Sequence, residues 1–310
     1  MNRLNILTRT YALLRNYEGI PYWALTPLRK FVRYVANKTL PTYLAKPRMQ
    51  EQSQRANIVV SFTSFPGRIS GVWQVVESLK NQSVLPEKII LWLSKKQFPT
   101  KESVPSTLWD REDSLFEVRM VDDDIRSHKK YYYIMKEYPD KTFVTCDDDI
   151  YYHPDMLKHL VDTSRLYPNC IIANNARRIT FDQKGALMPY NKWREENKSF
   201  RSQDLIQIGA GGVLYPPQCL HKLTLRKDLF WTLTPMADDI WLNCMARLNK
   251  TAVVKTDMRY IPLVIKSDAP SLSAVNKGQG KNDQQLKALR EYLKENNIDI
   301  YTADYHVIGS

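Results

Sequence analysis

Three consecutive carboxylates, Asp147, Asp148 and Asp149, are the residues whose type and spacing best suit chemistry. They follow the apolar run 142–146, which predicts a buried strand, so they should lie at its carboxyl end. Adjacent carboxylates repel one another unless a cation lies among them. If their side chains alternate as in a strand, Asp147 and Asp149 point to one side and Asp148 to the other. We therefore expect Asp147 and Asp149 to bind Mn²⁺ or Mg²⁺, which favour oxygen ligands completed by waters and phosphates.

A solvated turn is the alternative interpretation of this triplet. The carboxylates would then only cap the next helix, which is expected to begin near Pro154. The buried strand before the triplet favours a metal site, because it would hold the charges at a fixed edge.

A second acidic triplet, 122–124, follows the predicted strand 116–121. The cations of the next segment, 125–130, can neutralise these acids locally, so we do not expect a second metal site. Asp123 is instead predicted to orient the base or ribose of a nucleotide, and Lys129 or Lys130 to contact phosphate. A solvated lysine face is the alternative for the two lysines.

Short apolar runs alternate with helical patterns from residue 58 onward, and these elements must position the acidic residues. The runs predict strands at 58–63, 89–93, 116–121, 142–146 and 171–173. Apolar residues at helical spacing predict helices at 71–82, at 127–137 and from about 154. This alternation predicts an α/β fold with a parallel sheet covered on both faces. Ligands of such sheets bind outside the carboxyl ends of the strands, where both triplets are expected.

Four segments with candidate functions occur in order along the chain. They are Val60–Arg68, Thr145–Ile150, Gly209–Tyr215 and Ala237–Leu242. Through these segments the chain from Ile58 to about Leu248 resembles glycosyltransferases of the GT-A type. The resemblance is to bacterial capsular and lipopolysaccharide-assembly enzymes and, more distantly, to exostosin-type transferases. It implies a Rossmann-like fold with a mixed, mainly parallel sheet. It also implies metal-dependent sugar transfer from a nucleotide-sugar donor to a glycan acceptor in cell-surface polysaccharide biosynthesis.

The resemblance also assigns roles to single residues. Thr145–Ile150 matches the D-x-D metal motif, with Asp147 and Asp149 as ligands. The nucleotide-sugar site would consist of Thr63, Ser64, Phe65, Arg68, Asp123, Lys129, Lys130 and Asp148. The wall beside the donor sugar and acceptor would consist of Gly209, Gly211 and Gly212. The family often adds a late histidine to the metal, and this chain offers only His306 or Asp283 as candidates.

Sugar transfer places specific demands on such a site. Negative charge develops on the leaving diphosphate, where a divalent cation stabilises it. An inverting enzyme also needs a base near the acceptor hydroxyl. Asp239 is the candidate for this base and Asp238 is the substitute. The same pair suits the N-terminus of the helix that it opens, and both roles can hold at once.

Two further functions remain open on the sequence. A nucleotidyltransferase acting on a sugar phosphate would use the same strand-end carboxylates and metal, but it would release pyrophosphate. A non-catalytic module that binds a membrane surface or a polysaccharide is the other alternative. The sequence leaves the sugar, the nucleotide and the stereochemical course undecided.

The positive charge of the chain is concentrated at its start. Residues 1–50 carry nine Lys and Arg against one acid, within a net charge of +12 for the chain. Large apolar and aromatic residues lie among these cations at roughly helical spacing, which predicts a basic amphipathic segment followed by a catalytic domain over 51–310. An anionic membrane surface is its expected partner, and a lipid-linked acceptor would follow from it. Docking of the segment on the protein's own core is the alternative. Nucleic acid is not expected as a partner, because the basic pattern does not continue into the body.

Two features of the sequence suggest a cytoplasmic location, peripheral on the inner face of the cell membrane. The chain lacks an apolar run of about 18 residues, the length that a spanning helix needs. Its four cysteines are widely spaced, which argues against a disulfide framework or a structural zinc site.

Overall fold

The computed structural model describes residues 2–14, 20–21, 23–46, 54–258, 261–267 and 280–302. The helices, numbered along the chain, are α1 (Arg3–Leu13), α2 (Thr26–Leu44), α3 (Val72–Lys80), α4 (Ser106–Trp109), α5 (Lys129–Glu137), α6 (Met156–Leu166), α7 (Lys227–Leu233), α8 (Asp238–Leu248) and α9 (Lys281–Glu295). The strands are β1 (Gln54–Arg55), β2 (Ile58–Thr63), β3 (Val84–Leu85), β4 (Lys88–Ser94), β5 (Phe116–Val121), β6 (Thr142–Thr145), β7 (Ile150–Tyr151), β8 (Ile171–Ala173), β9 (Ala176–Arg178), β10 (Arg194–Glu196), β11 (Phe200–Ser202), β12 (Leu205–Gln207), β13 (Val213–Tyr215), β14 (Val253–Lys255) and β15 (Leu263–Val264).

A mixed sheet of eight strands forms the centre of the protein, in the order β11-β14-β8-β13-β6-β2-β4-β5. Strand β2 pairs in parallel with β4 and β6, and β4 pairs in parallel with β5. Strand β13 runs antiparallel to both β6 and β8, and β11 runs antiparallel to β14. The carboxyl ends of β2, β4, β5, β6, β8 and β14 therefore share one edge, and the segment before β13 reaches that same edge.

Alternating side chains of the strands build a core on each face of this sheet. On one face, Val60 and Val144 join a cluster with buried residues of α1, α2, α3 and α6. On the other face, Val59 and Phe143 join a cluster with buried residues of α5, α7, α8 and α9. The predicted α/β fold, with a mainly parallel sheet covered by helices on both faces, is confirmed.

The end of β6 differs from the prediction. The strand stops at Thr145, and Asp148 and Asp149 lie in a turn that leads into β7. Strand alternation therefore does not set the directions of the three carboxylates, and the expectation that Asp148 points away from the other two on this ground is wrong. The turn directs Asp148 and Asp149 to the same cation.

Helices α1 and α2 pack against the core of the body. Leu4, Ala36 and Leu40 are fully buried in the cluster on the α3 face of the sheet. The amide of Asn37 donates to the Val264 carbonyl at 3.2 Å and accepts from the Lys266 amide at 2.6 Å. Docking on the protein's own core thus accounts for one face of α2. Across the described parts of the chain, no helix combines the length and apolar character that a bilayer crossing needs.

The packing of α2 leads to a stability prediction. Leu40→Ala should lower the free energy of unfolding by about 2–5 kcal/mol, because it removes buried methyl groups and leaves a cavity. Leu28→Ala, on the exposed side of the same helix, should change it by less than about 0.5 kcal/mol. Urea denaturation of both variants measures the difference. Equal values would show that α2 is not part of the cooperative core.

Candidate functional site

A cleft of about 1330 Å³ opens at the shared carboxyl edge of the sheet. The segments after β2 and β6, the segment before β13 and the start of α8 all contribute to its lining. The edge that carries the strand-end carboxylates is thus concave, and a ligand in the cleft would contact several of them together.

Lys130 lies between two acidic segments inside this cleft. Its ammonium group is 2.5 Å from a carboxylate oxygen of Asp147 and 3.5 Å from one of Asp238. Burial disfavours the charge, but the two carboxylates outweigh it and raise the pKa of Lys130 well above its ordinary value. Burial alone would raise the pKa of Asp238, yet Lys130 holds it below its usual range. Lys130 therefore joins the turn after β6 to the start of α8.

Arg68 pairs with the other two members of the triplet. Its Nη1 atom is 2.8 Å from Asp148 and 3.0 Å from Asp149. The Ser64 hydroxyl donates to the second oxygen of Asp148 at 2.5 Å. Burial opposes the charge of Arg68, but the carboxylates outweigh it and raise its pKa. Two cations from separate segments thus divide the triplet, with Asp147 on Lys130 and the other two on Arg68.

The position of Lys130 depends on residues that the sequence analysis did not identify. The Ser61 hydroxyl, in the middle of β2, donates to the Lys130 carbonyl at 2.5 Å and accepts from Trp92 Nε1 at 2.9 Å. The hydroxyl of Tyr152 accepts from the Asp147 amide at 2.7 Å. A polar serine within the apolar run Ile58–Thr63 was the one signal available in the sequence.

His128 fixes the chain that leads into α8. Its Nε2 atom is 2.8 Å from the Thr234 carbonyl and its Nδ1 atom is 2.8 Å from the Tyr131 hydroxyl. The ring also stacks on Phe230 at 4.4 Å between centroids. Because the carbonyl only accepts, the neutral ring donates from Nε2 and accepts the Tyr131 proton at Nδ1. Burial lowers the pKa of His128 to about 4.

Asp239 faces the loop before β13. One of its carboxylate oxygens accepts from the Gly209 amide at 3.2 Å. A Cβ atom added to Gly209 would lie 3.2 Å from Asp239 Oδ1 and 3.5 Å from Asp147 Oδ1. The absence of a side chain at Gly209 therefore leaves room between two carboxylates that come from β6 and α8.

At the turn after β6 and the start of α8, five carboxylates (147–149, 238 and 239) surround only two paired cations, Lys130 and Arg68. Burial, followed by repulsion from Asp147, raises the pKa of Asp149, and burial, followed by repulsion from Asp238, raises that of Asp239. A further cation would relieve this repulsion. Carboxylate oxygens, with room beside Gly209, suit Mg²⁺ or Mn²⁺, which often take one or two carboxylates plus substrate phosphates. Within the described residues, no group of three or more His, Cys, Asp or Glu side chains is arranged as a complete metal site.

The structure places the other predicted site residues in different surroundings. Thr63 and Phe65 line the cleft, where the Thr63 hydroxyl donates to the Trp92 carbonyl at 2.7 Å. Lys129 also lines it, and its ammonium group lies 2.6 Å from Asp124. Asp123 is absent from the lining and lies 2.5 Å from Lys227 at the surface. The local neutralisation expected for the second triplet is thus present.

The glycines and the candidates for a third metal ligand complete this comparison. Gly211 packs against Asn175, so a Cβ there would lie 3.0 Å from the Asn175 amide nitrogen. Asp283, in the first turn of α9, accepts from the Tyr190 amide at 2.6 Å. His306 lies outside the described residues. The cleft also has lining residues that the sequence analysis did not select: Lys30, Arg33, Tyr34, Arg177 and Lys255.

Gly212 provides a test of the loop before β13. Its φ is +81°, and a Cβ atom there would lie 2.8 Å from Met156 Sδ. Gly212→Ala should therefore lower the free energy of unfolding by about 1–3 kcal/mol. Gly71→Ala is the control, because its Cβ would meet Ile265 at an ordinary 3.6 Å. Urea denaturation distinguishes them, and a neutral Gly212→Ala would show that the loop is not constrained.

The burial of His128 predicts a dependence of stability on pH. The unfolded chain binds a proton at His128 below about pH 6.5, whereas the native ring stays neutral until about pH 4. Stability contributed by this residue is therefore present above pH 6.5 and falls by about 3 kcal/mol as the pH drops to 4. His128→Gln should flatten this part of the pH profile of the unfolding free energy, and His159→Gln on α6 should not. Parallel profiles for His128→Gln and the unmodified protein would contradict this assignment.

Comparison with known proteins gives matches in solved structures alone. No protein-family model matches the chain, and no curated protein sequence matches it significantly. HddC from Yersinia pseudotuberculosis is similar at 15% identity and a TM-score of 0.34, over 53% of this chain and 77% of that one. Apo UDP-glucose pyrophosphorylase is similar at 10% identity and a TM-score of 0.38, over 79% of this chain and 100% of that one. CMP:2-keto-3-deoxy-manno-octonic acid synthetase complexed with CTP is similar at 10% identity and a TM-score of 0.40, over 76% and 100%.

These comparisons correct the expectation of a glycosyltransferase. The named pyrophosphorylase and synthetase agree with the alternative of nucleotidyl transfer better than with sugar transfer. What is retained of the resemblance to GT-A enzymes is the α/β fold with a mixed, mainly parallel sheet, which the structure itself shows. The identities are low enough that the likeness concerns the fold alone.

Proposed function

We propose that the protein is a metal-dependent nucleotidyltransferase that joins the nucleoside monophosphate part of a nucleoside triphosphate to a sugar phosphate. The observation that carries this proposal is the arrangement of Arg68 and Lys130 among the carboxylates of one cleft. A triphosphate with its divalent cation carries both signs of charge, and this site offers a partner for each. The cations attract phosphate oxygens, and the carboxylates attract the metal.

The reaction needs positive charge more than it needs a base. An oxygen of the sugar phosphate bonds to the α-phosphorus, the bond from that phosphorus to the oxygen bridging to the β-phosphorus breaks, and pyrophosphate leaves. A phosphate monoester is largely ionised at neutral pH, because its second pKa is about 6. Asp239 and Asp238 therefore need not accept a proton, and the base role expected for sugar transfer is not carried into this proposal.

In this proposal, different residues of the cleft bind the phosphates and the metal. Lys130 and Arg68 neutralise the phosphate chain and position it for displacement. Asp147 and Asp149 would hold the Mg²⁺ or Mn²⁺, with Asp239 as a further oxygen donor beside Gly209. The bound metal supplies electrostatic stabilisation of charge on the pyrophosphate.

The sugar phosphate needs a cation of its own, and Arg177 in the cleft lining can supply it. Arg177 lies 3.8 Å from Glu195, and its guanidinium stands 5.6 Å from the Tyr190 ring centroid. A guanidinium group suits bidentate contact with a phosphate, and the buried Tyr190 ring holds it in place. We assign this part of the lining to the sugar phosphate.

Product identification tests the proposed function. The purified protein should release pyrophosphate when a nucleoside triphosphate, a sugar 1-phosphate and Mg²⁺ are supplied together, across a panel of bases and sugars. Asp149→Asn should reduce the rate by about 10²–10³, because it removes a charge that holds the metal. Asp162→Asn, on the exposed side of α6, is the matched control and should retain the rate.

The opposite product would contradict the proposal. Release of a nucleoside diphosphate from a nucleotide sugar, with no pyrophosphate formed from any triphosphate, would show that a different bond breaks. Nucleotide binding without turnover, unchanged in Asp149→Asn, would favour a non-catalytic module.

A further inference from the structure

Exposed large apolar side chains are concentrated at the start of the chain. Among the described residues they comprise Ile6, Leu13, Ile20, Trp23, Leu28, Phe31 and Tyr34 in this segment, and Leu166, Phe200 and Trp231 elsewhere. Trp23 is 76% exposed, and Phe31 is 60% exposed. Clustered exposure of this kind marks an interaction surface, whereas single exposed apolar residues are common on any protein.

Helix α2 has two distinct apolar faces. One of them packs into the core through Val32, Ala36 and Leu40. The other carries Leu28 and Phe31 at a spacing of three residues, and these side chains face solvent. An amphipathic helix docked on its own core needs only the first face, so the second face has no function in the fold described here.

All the charged residues of α2 are basic: Arg29, Lys30, Arg33 and Lys38. Residues 1–46 contain eight Lys and Arg and one acid, Glu18. Lys38 is exposed on the same side of α2 as Phe31, seven residues earlier, and it lies 6.0 Å from the ring centroid of Tyr34. Aromatic rings with long cationic side chains suit the boundary between lipid headgroups and acyl chains, where the rings enter and the cations meet anionic headgroups. Charge complementarity thus favours an anionic bilayer as the occupant.

We propose that the exposed face of α2, together with the turn at Trp23, binds the surface of an anionic lipid bilayer and holds the mouth of the cleft at that surface. The mouth of the cleft would lie at the bilayer because α2 contributes Lys30, Arg33 and Tyr34 to the lining of the cleft. One helix therefore serves the core, the bilayer and the rim of the cleft. This inference does not depend on which reaction the cleft catalyses.

Vesicle binding of the full chain tests the lipid surface. The protein should sediment with vesicles of phosphatidylglycerol and phosphatidylcholine, and not with vesicles of phosphatidylcholine alone. The double variant Leu28→Ser and Phe31→Ser should lower the apparent partition coefficient about tenfold or more, because two apolar anchors are lost. The variant Leu166→Ser, whose side chain is 76% exposed on α6, is the matched control and should bind as the unmodified protein does.

Fluorescence quenching measures which face of the protein contacts the bilayer. Brominated anionic lipids should quench the fluorescence of Trp23 at the bilayer, so that Trp23→Phe loses most of the quenchable signal. Trp231→Phe, at a 41% exposed residue on α7, should retain that signal. Quenching that disappears with Trp231 instead would place another face on the bilayer and overturn the orientation.

Several results would overturn the proposal. Equal binding to neutral and anionic vesicles would remove the role of the cations, and unchanged binding of the Leu28→Ser and Phe31→Ser variant would remove that of α2. Self-association of the protein that this variant abolishes, without any vesicle binding, would assign the face to a second copy of the chain. None of these assays uses a nucleotide or a sugar, so their outcome is independent of the proposed function.

Discussion

The ion pairs of Lys130 connect the parts of the site to one another. Its ammonium group contacts Asp147 after β6 and Asp238 at the start of α8, and its carbonyl is held by Ser61 of β2. Removing one partner of a buried ion pair typically costs about 3–5 kcal/mol, because the remaining charge has lost both water and its partner. Three segments separated by many residues therefore depend on one residue for their relative position, two of them through its side chain and one through its backbone. Arg68 has the same effect on the turn 147–149 from the opposite side.

This arrangement also explains how a site with so many carboxylates is compatible with a folded protein. The triplet and the pair at the start of α8 would repel one another strongly in a poorly solvated cleft. Lys130 and Arg68 offset part of that repulsion. The remaining repulsion, together with burial, raises the pKa values of Asp149 and Asp239. A site left in this state attracts a further cation. The local excess of carboxylates around Lys130 and Arg68 is thus a property of the fold that a metal–nucleotide complex can use.

The sequence predicted the scaffold well and the contacts within the site poorly. Buried strands such as β2 (Ile58–Thr63) and the centre of β4 (89–93) are nearly continuous apolar runs, so their positions could be read directly. The triplet 147–149 could be placed at a strand end for the same reason. Its partners could not be identified, because Arg68 reaches Asp148 across 80 residues of chain, through a sheet order that periodicity does not encode.

The amphipathic pattern of 26–44 fits both docking and lipid binding, and only the burial of Ala36 and Leu40 shows that one face is docked. The reaction type was missed on similar grounds, since strand-end carboxylates indicate where a metal and phosphates bind but not which bond is broken.

Strand β13 has a consequence for how the protein folds. Strand β13 runs antiparallel between β6 and β8, so the loop 209–212 that precedes it reaches the cleft. This loop comes later in the sequence than β2, β4, β5, β6 and β8. The cleft is thus lined by residues of large sequence separation, from Lys30 to Asn282. Closing such long loops is entropically costly before the contacts form, so the site should be completed late, after the parallel strands β2, β4 and β6 have assembled. During synthesis, a nascent chain that ends before β13 would expose the uncovered edge of β6, and this interval is when the protein is most open to aggregation.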